Sequence, residues 1–192
     1  MDFIVGLPWS NGFNAILVVV CRLTKMHHFI PYHDTKTAEQ LAELYARYIF
    51  PLHDLPKSIV SDRGLQFIAR FWRALCKTLK INSPLSTPYH AETDGQTERI
   101  NAILEHYLRA HVNYLQDDWE AWLNIAEFAA NNHASETTGM SPFFANYGQD
   151  ALSWFDFSHA ARSNEERNAQ QVARKFHEIS MHLQAEIAQA QA

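Results

Sequence analysis

Asp62 closes the short run Ser58-Ile59-Val60-Ser61 and opens Asp62-Arg63-Gly64, and Glu98 follows with 35 residues between them. Glu98 lies in Thr93-Asp94-Gly95-Gln96-Thr97-Glu98-Arg99, and a third carboxylate, Asp2, begins the apolar run Asp2-Phe3-Ile4-Val5. Two acids at strand positions and one just inside a helix are what a two-metal phosphoryl-transfer site needs. One ion activates the attacking oxygen and the other stabilises the leaving oxygen. Mg²⁺ suits such a site, because it takes a few carboxylates plus water and phosphate oxygens instead of an all-protein cage. Asp2 and Asp62, on adjacent strands, would bridge both ions, and Glu98 would complete one side. Ligands must be deprotonated, so metal affinity should fall as the pH drops.

The ordinary role of a lone Asp is a surface or capping one, and Asp94, beside Gly95 at a helix start, reads as a cap. Asp62 and Glu98 differ in lying in distinctive local sequences. Asn101, one helical turn after Glu98, is placed to hydrogen-bond near the metals or the phosphate. Lys57, Arg63, His90 and Arg99 are candidate nucleic-acid contacts, with solvated surface residues as the alternative.

The elements that must position these residues are legible from periodicity and caps. Residues 2–6 and 15–21 read as strands joined through Asn11-Gly12, a strong hairpin-turn signal. The second run is apolar on both faces, as a buried central strand should be. A third strand is expected at about 27–32. Thr37 and Gln40 form a capping box for a helix through Ile49, with Leu41, Leu44, Tyr45 and Ile49 at helical spacing. A strand at 58–61, a helix from about Gln66 to Leu79 and a short strand near 81–86 follow. Thr93 and Gln96 suggest a capping box for a long helix from about 95 to 112, with Ile100, Ile103, Leu104, Tyr107 and Leu108 on its core side. Further helices are expected at 118–131 and 141–147. The order fits an α/β fold with a five-stranded mixed sheet flanked by helices.

Beyond a linker at 151–162 the pattern changes. Ser163 and Glu166 make another capping box, and 164–190 contain no Pro or Gly. Val172, Phe176, Ile179, Leu183 and Ile187 form a narrow stripe that suits either a partner-facing amphipathic helix or one folded back on the core.

Bulk properties narrow the classes. The 192 residues are 47% hydrophobic, enough for a single domain with a substantial core. No run of eighteen or more apolar residues occurs, so no transmembrane helix is expected. Cys21 and Cys76 are too few for a zinc knuckle or disulfide framework, which suggests a reduced, intracellular protein. A net charge of −5 counts against a generic nucleic-acid binder. Between residues 57 and 109, however, eight Lys and Arg face five Asp and Glu, and two of those acids are metal-ligand candidates. The eleven histidines show no repeated ligand spacing and read mainly as solvated or structural.

Ser61-Asp62-Arg63-Gly64-Leu65-Gln66-Phe67, together with Thr93 to Asn101, resembles the integrase catalytic core of gypsy-type LTR retrotransposons. Supporting blocks are Met1 to Pro8, Arg22 to Met26, Leu55 to Val60 and Thr138 to Phe144, so the resemblance is spread over residues 1–150. It implies an RNase H-like fold, with Asp2, Asp62 and Glu98 as a catalytic triad coordinating Mg²⁺ or Mn²⁺. It further implies 3′-end processing of element cDNA, strand transfer into target DNA, a homo-oligomer and nuclear action, with no membrane role. Cys21 stands where the family usually has Asp, and Ala91-Glu92 where it has Pro-Gln. The added charge of Glu92 would oppose DNA approach. The chain also starts where the first strand should already be under way, as a polyprotein fragment would. The alternative is an inactive retroelement remnant acting as a nucleic-acid-binding or self-associating module.

Overall fold

The computed structural model describes residues 1–35, 37–61, 70–81, 95–151 and 163–191. Three antiparallel strands, β1 (Asp2–Ile4), β2 (Ala15–Val20) and β3 (His27–Tyr32), form a meander in the order β1-β2-β3. Asp2 sits opposite Val18, and Val20 opposite His27. The β1–β2 connection turns at Asn11 and Gly12, whose φ values of 48° and 84° are both positive. That is the requirement of a type I′ turn, and Asn-Gly meets it at least steric cost.

Seven helices are described: α1 (Ala38–Tyr48), α2 (Phe50–His53), α3 (Arg70–Thr78), α4 (Gly95–His111), α5 (Trp119–Asn132), α6 (Pro142–Tyr147) and α7 (Asn164–Gln191). The Thr37–Gln40 capping box opens α1 as expected, and Ser163 and Glu166 exchange the equivalent bonds before α7. Asp118 precedes α5 without capping it. Ser10 of the β1–β2 turn does so instead, accepting from the Glu120 N–H at 3.1 Å, while Trp119 Nε1 donates to the Pro8 carbonyl at 2.7 Å.

Alternation along β2 divides the core. Ile16 and Val18 join Ile4, Phe29, Leu104, Tyr107, Trp119 and Leu123 on one face. Ala15 and Leu17 join Ile30, Tyr32, Leu41, Ile49, Ile59 and Trp72 on the other. Both faces of the sheet are therefore covered by helices, which explains the continuous apolar run of β2.

The exposed side of β3 is closed by two side chains of α5. Glu127 Oε2 accepts from the Phe29 N–H at 2.8 Å, and Asn131 both accepts from the His27 N–H and donates to the His27 carbonyl, each at 2.8 Å. The match is one of pitch. Residues four apart on a helix are separated by about 6 Å, and residues two apart on a strand by about 6.8 Å. A helix edge thus satisfies strand groups that would otherwise invite another chain.

One expectation changes. Residues 58–61 carry only single bridges, at Ser58 and Ser61, instead of a continuous strand. The Met1 ammonium donates to the Val60 carbonyl at 2.7 Å, so the segment still runs beside the start of β1. The strand expected near 81–86 falls almost wholly outside the described residues, and the described sheet therefore has three strands. The helix expected from Gln66 is described from Arg70. In α7, Ile179 and Leu183 are buried against α4 and α5, so the middle of the helix folds back on the core. Val172 and Phe176, nearer its start, remain exposed.

Candidate active site

Asp2, at the first position of β1, is half-buried. Its Oδ1 accepts from the Phe3 N–H at 2.8 Å, and its Oδ2 accepts from Asn101 Nδ2 at 2.5 Å. The second bond joins residues 99 apart in sequence and anchors the second turn of α4 to the start of β1. Helical spacing explains why Asn101 can reach. Leu104, Tyr107 and Leu108 are buried on one face of α4, Ile100 and Ile103 pack partly against the same core, and Asn101 is carried to the face bordering β1.

Glu98 precedes Asn101 by one turn of the same helix. Its side chain, like Asp62, Arg63 and His90, lies outside the described residues, as does the capping box expected of Thr93 and Gln96. The described backbone reaches the residue before Asp62: Ser61 is fully buried, and the carbonyl of Val60 is bonded to the first residue of the chain. The backbone thus brings residue 61 and the start of β1 together, and the Asn101 bond brings α4 to the same place.

The donor set fits a hard divalent cation on one observation independent of sequence. Asn101 Oδ1 is buried and accepts no hydrogen bond among the described residues, although its amide nitrogen is bound to Asp2. The Ser61 hydroxyl is buried and unpartnered in the same sense. Buried polar atoms left bare are costly, so an oxygen in this position suits a cation or a cation-bound water. Among the described residues no group of three His, Cys, Asp or Glu side chains converges.

The candidate nucleic-acid contacts separate. Arg99 Nη1 pairs with Glu136 Oε2 at 3.4 Å, both about half exposed, which ties the start of α4 to the loop after α5. Lys57 is exposed beside the segment leading to Asp62. A cavity of about 330 Å³ behind α4 is lined by Val20, Phe29, Ile103, Leu104, Ala126 and Leu183 among others. Its walls are mostly apolar, with Lys25, Arg99, His133 and Glu136 also among the lining.

Two groups that sequence reasoning did not single out are buried histidines of β3. Burial holds the His27 imidazole down to about 4, against a bond to Asn131 Oδ1 at 3.2 Å that favours its charged form. His28 Nδ1 meets Glu127 Oε1 at 3.0 Å, and its Nε2 lies 2.7 Å from Nε2 of His53. The adjacent His27-His28 pair was the only signal, and without a partner in sequence it read as ordinary.

Residues 1–91 match the integrase core domain family. Over those residues the chain is similar to integrase cores. It is 32% identical over 184 residues to the Transposon Tf2-3 and Tf2-4 polyproteins of the fission yeast Schizosaccharomyces pombe, an alignment covering 95% of this chain. The chain spans about 14% of the length of those curated relatives. The HTLV-2 integrase catalytic core domain, solved in complex with magnesium as a trimeric form, superposes with a TM-score of 0.58. Identity there is 15%, over 76% of this chain and 94% of that one. The BIV integrase catalytic core gives 0.52 at 24% identity, over 77% of this chain and 93% of that one. At such identities the chain shares the α/β fold of these proteins, and the role of each residue rests on its own chemistry.

Proposed function

We propose that this chain is the catalytic core of a gypsy-type retroelement integrase, with Asp2, Asp62 and Glu98 as its divalent-metal ligands. The observation that carries the reading is the Asn101–Asp2 hydrogen bond, which draws the helix bearing Glu98 onto the strand bearing Asp2. The Met1–Val60 contact supports placing Asp62 at the same point from the other side. Mg²⁺ or Mn²⁺, held by these carboxylates, would supply activation of the attacking oxygen and charge stabilisation at the phosphate. Asn101 would hold Asp2 in one orientation through Nδ2 and offer Oδ1 to the metal's water. Lys57, Arg63, His90 and Arg99 would take the DNA backbone, and for Arg99 this requires release from Glu136. That pair is exposed and weak enough to exchange for a phosphate.

The substrates would be the 3′ ends of element cDNA, trimmed by water, and target DNA attacked by the freed 3′-OH. Strand transfer would act on chromosomal DNA, so nuclear action is part of the proposal. Joining two ends requires more than one core, so a homo-oligomer is part of the proposal. Labelled oligonucleotides carrying a branched integration intermediate test it. Mn²⁺-dependent resealing that vanishes in Asp62→Asn is expected. No product from the wild-type chain would overturn the proposal in favour of a binding remnant.

A further inference from the structure

We propose that His28 and His53 form a second metal site, distinct in chemistry from the carboxylate cluster, that takes a divalent transition-metal ion on two imidazoles. Their Nε2 atoms face each other at 2.7 Å, across the gap between β3 and the end of α2. Glu127 fixes the tautomer of His28. Its Oε1, which can only accept, meets Nδ1 at 3.0 Å, so in the neutral ring Nδ1 carries the proton and Nε2 presents a lone pair. Glu127 is itself held by the Phe29 N–H on its other oxygen. A carboxylate behind a histidine, aiming its distal nitrogen outward, is the arrangement that orients metal-ligating imidazoles.

His53 completes the pair at little chemical cost. In the metal-free state its Nε2–H donates to the His28 lone pair. On binding, the proton moves to Nδ1 and Nε2 takes the metal, so a neutral His53 releases no proton to solvent. Burial already holds His53 below the ordinary histidine range, which keeps the ring neutral.

Geometry selects the ion. With metal–nitrogen bonds of about 2.05 Å, two nitrogens about 2.9 Å apart subtend the right angle of an octahedral or square-planar cis pair. A tetrahedral ion needs about 3.3 Å between them. Opening the observed 2.7 Å by roughly 0.2 Å therefore accommodates Ni²⁺ or Cu²⁺, whereas Zn²⁺ demands roughly three times that movement. The remaining coordination positions open into a cavity of about 590 Å³ that both rings line, with Asp54 and Asn146 on its wall. Water fills those positions, since no third His, Cys, Asp or Glu among the described residues converges with the pair.

The structural consequence reaches the candidate active site. Met1, Ile59 and Val60 line the same cavity, and residues 54–61 run from His53 towards Asp62. A metal bridging His28 and His53 clips the start of that segment to the sheet.

The test is Ni²⁺ binding to chelator-treated full chain with Mg²⁺ in excess, which would occupy the carboxylates proposed above as metal ligands. Calorimetry should give one site per chain, and Tm should rise by about 3–5 °C, the shift produced near ten times Kd in a domain of this size. His53→Ala and His53→Gln should each abolish the shift, Glu127→Gln should weaken binding by about tenfold or more, and His106→Ala should change nothing. The metal-free Tm of each variant shows that it folds. A wild-type chain with no Ni²⁺ response, or His53 variants that keep it, would overturn the proposal.

Discussion

Replacing Asn131 by Ala removes three buried bonds at once and tests whether α5 completes the sheet edge. The His27 N–H loses its acceptor at 2.8 Å, the His27 carbonyl loses its donor at 2.8 Å, and the imidazole loses a partner at 3.2 Å. Asn131 and His27 are 1% and 6% exposed, so solvent does not readily replace these partners. Each buried backbone group left bare costs about 1–3 kcal/mol. Two of them give roughly 2–6 kcal/mol, less what a water entering the neighbouring cavity restores; a loss near 3 kcal/mol is the expected result. Urea denaturation followed by tryptophan fluorescence measures it, with Asn131→Asp as the companion. The aspartate keeps an acceptor but turns an oxygen towards the His27 carbonyl, so it should also destabilise at neutral pH. The carboxylate would favour charged His27, and the deficit should narrow as the pH falls. An Asn131→Ala loss below about 0.5 kcal/mol, the range of ordinary surface substitutions, would refute the edge-capping argument.

Other outcomes follow from the same structure. Burial holds His27 down to about 4 in the fold, against the ordinary histidine value of 6.5, so the folded state binds fewer protons between those values. Its stabilising contribution is complete above pH 6.5 and falls away as the pH drops towards 4, by about 3 kcal/mol in all. Denaturation midpoints taken across that window, compared with His27→Gln, measure the slope, and an unchanged slope in the variant would exclude His27 as its source. Leu183→Ala should cost about 2–5 kcal/mol if α7 is an integral part of the core, whereas Val172→Ala, at 54% exposure, should stay within about 0.5 kcal/mol. Asp62→Asn should remove any Mg²⁺-dependent rise in Tm, and Asn101→Ala should lower Mg²⁺ affinity while leaving the circular dichroism of α4 intact. A full Mg²⁺ response in Asp62→Asn would place the metal elsewhere.

The hairpin turn, the first helix and the last helix were legible because their signals are local. Asn11-Gly12, Thr37 with Gln40, and Ser163 with Glu166 each state a backbone requirement within four residues. The doubly buried β2 was legible for a similar reason, since a run apolar on both faces has few other places to go. The strand at 58–61 was over-read. Its short apolar run satisfies the composition of a strand, but bridge formation depends on neighbours that composition does not name. Nothing local marks Ser10 as the cap of α5 either, because donor and acceptor lie 110 residues apart.

By itself the sequence determined which residue types were available for chemistry and on which kinds of element they ride. Asp2 at a strand start and Glu98 in the first turn of a helix both follow from periodicity and caps. Only the tertiary structure decided what meets what. It brought Asn101 to Asp2, Val60 to the first residue, Glu127 and Asn131 to the edge of β3, and His53 to His28. Each contact joins elements distant along the chain, and its geometry is set by how helices pack across a twisted sheet. Local propensity fixes an element's own axis and faces, but the distance between two faces is a property of the packed core.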